Sequence, residues 1–267
     1  MRIPGTILAF VLCVSPAFAS PGATDAELLA AAEQAFTDGT KLRDDSTKAR
    51  PAFAQAANGY DELWRRGHHN PDLALNRANA HRLAGNLPAA IVALNGALAV
   101  TPWNRPLQVA LEDARSAVAY PLTGDLAAQC RPPATVGIAT RMSQVEAWLV
   151  AGVLWLLACG GVTRFAMTRR PAWFLAVGAC GVALAVLGGF WWHDSREREQ
   201  AERHPLVVLA SDVVLRRGNA ETYPARVESR LPRGVELRKL AERGGWVQVR
   251  LAGGVVGWVP GTAVVRG

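Results

Sequence analysis

Between residues 20 and 120 the apolar positions recur with the 3.6-residue period of amphipathic helices. Leu28, Ala32, Ala35 and Phe36 fall on one face. Phe53, Ala56, Ala57, Tyr60, Leu63 and Trp64 make a second, and Leu87, Ala90, Ile91, Leu94, Ala97 and Leu98 a third, offset by 34 residues at all six positions. Leu107, Ala110, Leu111, Ala114 and Val118 predict a closing helix. The pattern then changes to two unbroken apolar runs, 145–163 and 172–192. As helices they are apolar on every face, which a buried soluble hairpin does not require. The first would be about 28 Å long, enough for a hydrocarbon core of about 30 Å. Trp148, Trp173, Trp191 and Trp192 sit near the ends of these runs, as aromatic belts do. Beyond residue 205 short β-branched runs alternate with Gly and Pro turns. Residues 213–216, 235–240, 246–250 and 255–259 are the predicted strands, and sixty residues of such strands predict a small barrel.

An interval of 34 is the period of the tetratricopeptide repeat, whose helix pairs stack on a shared core. Residues 71–104 resemble one such unit through Ala78, Gly85, Leu87, Ala90, Leu94, Ala97 and Pro102. Gly85-Asn86 supplies a left-handed helix stop. Ala74 and Arg77 depart from the family, which places a large aromatic and a leucine there, so its groove would be shallow. The preceding unit is worn, with about five inserted residues near 42–50. The resemblance implies that Asp72, Leu75, Asn79 and Arg82, on the inner face of the first helix, bind a protein partner. The same four residues also read as a solvated helix face.

The first residues read as a secretory signal: Arg2, the apolar stretch 7–14, and Ala17-Phe18-Ala19 as cleavage pattern. Leu12 before Cys13 is bulky for a lipoprotein signal. The expected layout is signal 1–19, helical domain 20–120, linker 121–144, transmembrane helices 145–163 and 171–192 around a basic loop 164–170, charged spacer 193–204, and β-domain 205–267. Arg164, Arg169 and Arg170 make that loop cytoplasmic by the positive-inside tendency. Both soluble parts are then expected on the periplasmic side of a bacterial inner membrane. Gly181, Ala185 and Gly189 form a small-residue ridge, expected to face the first membrane helix and open also to another protein.

The β-domain resembles bacterial SH3 (SH3b) domains through Val214-Leu215-Arg216-Arg217-Gly218, Tyr223-Pro224, Leu231-Pro232-Arg233-Gly234, Gly245 to Val249, and Gly257-Trp258-Val259. The resemblance implies non-catalytic binding of cell-wall or peptide ligands. Trp246 and Trp258 could line a ligand groove, but a tryptophan after glycine in a small barrel also fits a core. Tyr223, on a loop, is the plainer surface residue.

Composition changes this picture little. The net charge of +7 rests on 26 Arg and 3 Lys, scattered rather than gathered on one stripe, so no nucleic-acid partner is expected. Of the cysteines, 159 and 180 sit in apolar runs and Cys130 stands alone in the linker, which excludes a disulfide framework. The phosphate-loop, nucleophile-elbow and zinc-helix signatures are absent. His68-His69 reads as a loop without carboxylate company. No catalytic residue, cofactor or metal is expected. The order of parts resembles the BatE-like proteins of bacterial aerotolerance operons. This implies a membrane scaffold whose partners are von Willebrand factor A-domain membrane proteins and a MoxR-type ATPase. A different reading is an envelope sensor whose β-domain binds peptidoglycan or its stem peptides.

Overall fold

The computed structural model describes residues 24–121, 125–132 and 144–266. The predicted signal segment and most of the 121–144 linker lie outside the described residues. Five helices come first: α1 (Asp25–Lys41), α2 (Ser46–Arg65), α3 (Pro71–Leu83), α4 (Leu87–Val100) and α5 (Arg105–Ser116). Their starts are written locally. Asn70, Asn86 and Asn104 each precede a proline in the first helical turn, and each side chain accepts a hydrogen bond from the amide three residues on. Thr24 and Glu27 close a reciprocal capping box on α1. Gly85 ends the α3 turn with φ +83, the left-handed stop expected.

Every predicted apolar face is turned inward. Leu28, Ala32, Ala56, Ala57, Tyr60 and Leu63 form one cluster between α1, α2 and α3. Gly59 permits the closest approach: a Cβ there would lie 2.8 Å from that of Ala32. A short α6 (Asp125–Cys130) follows inside the predicted linker and buries Cys130 completely. Burial pushes its thiol up, away from the reactive thiolate.

Among the described residues two helices are long and apolar enough to cross a membrane, which fits a two-pass membrane protein. They are α7 (Gln144–Thr168) and α8 (Pro171–Arg203), with spans of mean hydropathy 1.9 and 2.0. Two expectations change here. The loop 164–170 shrinks to Arg169 and Arg170, because α7 continues through Arg164 to Thr168. Residues 193–203 are no separate spacer, since α8 runs on through them. Contact between α7 and α8 is made by Gly161 against Val177, and Trp148 meets Trp191 edge-on at 4.4 Å. Gly181, Ala185 and Gly189 are exposed, so the expected packing of that ridge on the first helix is not found. The face toward α7 carries instead the half-buried Val177, Cys180, Leu184 and Leu187.

The C-terminal part is an antiparallel sheet of β1 (Leu206–Leu209), β2 (Glu236–Arg243), β3 (Trp246–Arg250), β4 (Val256–Pro260) and β5 (Val264–Arg266), ordered β4-β3-β2-β1-β5. The expected barrel is not closed. β5 pairs with β1, and the outer edge of β4 meets only the backbone of Arg216. Residues 213–216 are therefore not a strand but a segment of isolated bridges, Val213 to Leu231 and Arg216 to Ala225 and Trp258. Two strands went unpredicted, β1 and β5, each only four or three residues long.

The largest departure from the expected layout is that the helices and the sheet share one core. Ile91, Leu94, Leu107, Leu111 and Val118 pack in the same cluster as Val207, Val208, Leu209 and Leu237. Five hydrogen bonds between four residue pairs cross the seam. Arg115 donates to Glu236 from Nε at 2.6 Å and from Nη2 at 2.8 Å, and Asn95 Nδ2 donates to Glu236 Oε2 at 3.4 Å. Arg233 donates to the Gly85 carbonyl at 2.8 Å, and the Gly253 amide to that of Gln129 at 3.0 Å.

Candidate functional site

Two surfaces carry the residues singled out from the sequence. On α3, Asp72, Leu75, Asn79 and Arg82 fall on one stripe by their spacing. Asp72 and Arg82 are exposed and Asn79 is half-buried, with Arg82 Nη2 3.5 Å from Asn79 Oδ1. Leu75 is half-buried and packs against the core shared with the sheet. The polar members remain available.

Beside this stripe lies a network that sequence reasoning missed. Asp61 of α2 is bonded by Arg77 and, at 3.0 Å, by His81 Nε2 of α3. Arg77 also lies over the Trp64 ring, 5.5 Å from its centroid. Burial raises the Asp61 carboxyl, but the His81 hydrogen bond and the Arg77 charge outweigh it and hold it below its ordinary value. The polar Arg77, out of place in the repeat pattern, is thus matched by an acid on the preceding helix. No sequence signal marks a pair sixteen residues apart on different helices. His68 likewise has the carboxylate company denied it above: its Nε2 lies 2.6 Å from Asp25 Oδ2. A hydrogen bond from Arg66, with that of His68 second, holds the Asp25 carboxyl low.

The second surface is the outer face of β3 and β4. Val247, Val249, Gly257 and Val259 point inward, so the pleat turns Trp246, Gln248, Trp258 and Pro260 outward, half-buried. The core alternative for both tryptophans is thereby corrected. Gln248 stands opposite Trp258, and Trp258 opposite Arg216, which places one amide, one indole and one guanidinium in a row. Arg216 Nη1 donates to the Tyr223 carbonyl at 2.8 Å, and the Tyr223 ring, 47% exposed, lies against Gly218. Arg216 and Gln248 were not picked out from the sequence, although strand alternation through Trp258 would have found Gln248. An open cleft of ≈ 580 Å³ lies between α6 and the loop before β2, lined by Leu126, Gln129, Arg226, Glu228 and Val255 among others.

Among the described residues no group of three or more His, Cys, Asp or Glu side chains could hold a metal ion. No family model, no curated protein and no solved structure matches the chain.

Proposed function

We propose that this chain is a non-enzymatic, membrane-anchored scaffold of the BatE-like kind. In this reading the helices act as a tetratricopeptide-type adaptor and the sheet as an SH3b-like module. α7 and α8 cross the bacterial inner membrane with both soluble parts on the periplasmic side. The partners are von Willebrand factor A-domain membrane proteins, served by a MoxR-type ATPase. The observation that carries it is the shared core sealed by Arg115 and Glu236. It holds the α3 stripe and the outer sheet face in fixed relation to each other. A body with two fixed faces suits holding partners in register better than turning over a small substrate.

The test is reconstitution of the full chain with a von Willebrand factor A-domain membrane protein encoded beside it. A stable complex is expected, weakened at least about tenfold, or about 1.4 kcal/mol, by Asn79→Ala with Arg82→Glu, because arginine is among the residues on which interface energy concentrates. A genomic neighbourhood without such a protein, or a complex indifferent to the double variant, overturns the proposal.

The outward Trp246, Gln248 and Trp258 favour a second reading, an envelope sensor that binds peptidoglycan or its stem peptides. Co-sedimentation of the detergent-solubilised chain with purified cell wall, lost in Trp258→Ala, would establish it; equal sedimentation of both proteins would not.

A further inference from the structure

The contacts across the seam fix the direction in which α4 and α5 run along the sheet. Ile91 and Val118 both lie against Gly234, whose amide bonds the Leu209 carbonyl. One step down β2, Asn95 and Arg115 both reach Glu236, opposite Val208. A further step down, Arg238 stands opposite Leu206 and bonds the His204 carbonyl, where α8 ends. Hence α4 descends toward the end of the body at which α8 enters, and α5 climbs away from it. The α4–α5 turn and the first turns of α5 belong to that end.

Three exposed apolar side chains belong to this end. Val100, Trp103 and Val109 are 48%, 40% and 43% exposed. Beyond Leu206 the β2 strand overshoots β1 from Lys239 to Arg243, and β3 brings Trp246 back from the hairpin tip. β5 ends at the same level, with Arg266 opposite Val207 one residue up. The charged groups of this end include Arg105, Arg238, Lys239, Arg243, Arg250, Arg266 and Glu242. Glu242 takes Lys239 at 2.7 Å and Arg266 at 2.6 Å. Arg105 and Arg243 are exposed, and among the described residues neither has an ion-pair partner.

We propose that this end of the body rests on the bilayer surface. Trp103, Val100 and Val109 enter the interface, and Arg105 and Arg243 meet the phosphates of anionic headgroups. The inference rests on α7 and α8 crossing the membrane. Aromatic side chains ringed by arginine are what a bilayer interface takes up. With α8 set along the strand direction, the tether has a matching length. From Trp192 to Arg203 α8 rises about 16 Å, while β2 returns about 13 Å past Lys239. A modest tilt of α8 closes the difference. Partner proteins are then left the far end and the flanks, where α3 and its stripe lie.

The experiment uses the full chain, with Cys159 and Cys180 replaced by Ala, in nanodiscs. Incorporation itself tests the spans, so failure there is separate from failure of the inference. A fluorophore is placed at Ala241→Cys on the hairpin, or at Ala252→Cys on the opposite turn, and quenched by headgroup-level spin-labelled lipid. Quenching at 241 but not at 252 is expected in discs containing phosphatidylglycerol. Arg105→Glu with Arg243→Glu should shift the docked-to-free ratio by about 30-fold, at roughly 1 kcal/mol per basic residue removed. A second variant, Trp103→Ser, should weaken quenching without touching charge. Each variant is required to elute from gel filtration as the parent does. Equal quenching at 241 and 252, or a double variant that docks as well as the parent, overturns the proposal.

Discussion

Glu236 and Arg115 provide the sharpest perturbation of the shared core. The Glu236 side chain is 4% exposed and that of Arg115 is 18%. Both were taken out of water on folding, and each is compensated by the other through two short hydrogen bonds. Removing one partner strands the other, at a cost of about 3–5 kcal/mol. The two deletions need not be equal. Glu236→Ala leaves a guanidinium that can still find some water, placing its loss near the lower figure. Arg115→Ala leaves a carboxylate with almost none, which places it near the upper one. Arg115→Met with Glu236→Leu removes both charges and should cost less than either single change, because no orphan is left. The assay is denaturant unfolding of the full chain in detergent, followed by far-ultraviolet circular dichroism. One transition is expected for helices α1–α5 and the sheet together, since one apolar cluster joins α3, α4 and α5 to the sheet and a second ties α1 and α2 to α3. Two resolved transitions, or a double variant at the sum of the singles, would refute the reasoning.

Three further outcomes follow from particular contacts. Asp61 has a folded carboxyl below its ordinary value of 3.8, so its contribution is present above that pH and is lost as pH falls through the lower folded value. Between pH 6 and 3 the parent should therefore lose stability more steeply than Asp61→Asn; parallel curves would contradict the network. Tyr120 has a buried hydroxyl with no hydrogen-bond partner among the described residues, and burial, with the nearby Glu236 charge, pushes its phenol up to about 12. Tyr120→Phe is thus expected to be neutral or stabilising by up to about 1 kcal/mol, measured in the same unfolding experiment, and a loss of that size would show the hydroxyl to be bonded. A Cβ on Gly161 would come 2.7 Å from Val177, whereas one on Gly181 meets nothing within 4 Å. Gly161→Leu should therefore abolish disulfide formation between Trp148→Cys and Trp191→Cys, and Gly181→Leu should leave it intact.

Periodicity revealed what depends on neighbours along the chain. The faces of α2 and α4, the Gly85 stop and the β3 strand come directly from spacing and turn chemistry. What escaped depends on partners far away in sequence. Glu236 reads as an ordinary polar position on an exposed strand until Arg115, 121 residues earlier, covers it. Leu206–Leu209 is too short to announce itself, yet it is the strand on which α4 and the sheet meet. The tryptophans of β3 and β4 were legible in register but not in direction. Alternation says that Trp246 and Val247 face opposite ways, and only the assembled core says which way is in. The ridge on α8 failed for a related reason. Small residues permit close approach without requiring it, and Val177 against Gly161 decided which face of α8 turned to α7.

The shared core also bears on how the chain is arranged about its apolar helices. Residues before α7 and residues after α8 build one body, so both ends of that helix pair must emerge together. The two-residue turn at Arg169 and Arg170, the first with φ 53, requires the same of a tight antiparallel hairpin. This argument uses packing alone and does not count arginines. It therefore survives the arginines of the α8 extension, Arg196 and Arg203 among them, which blur the charge asymmetry. On the α8 side the connection is short, with only His204 and Pro205 between helix and strand.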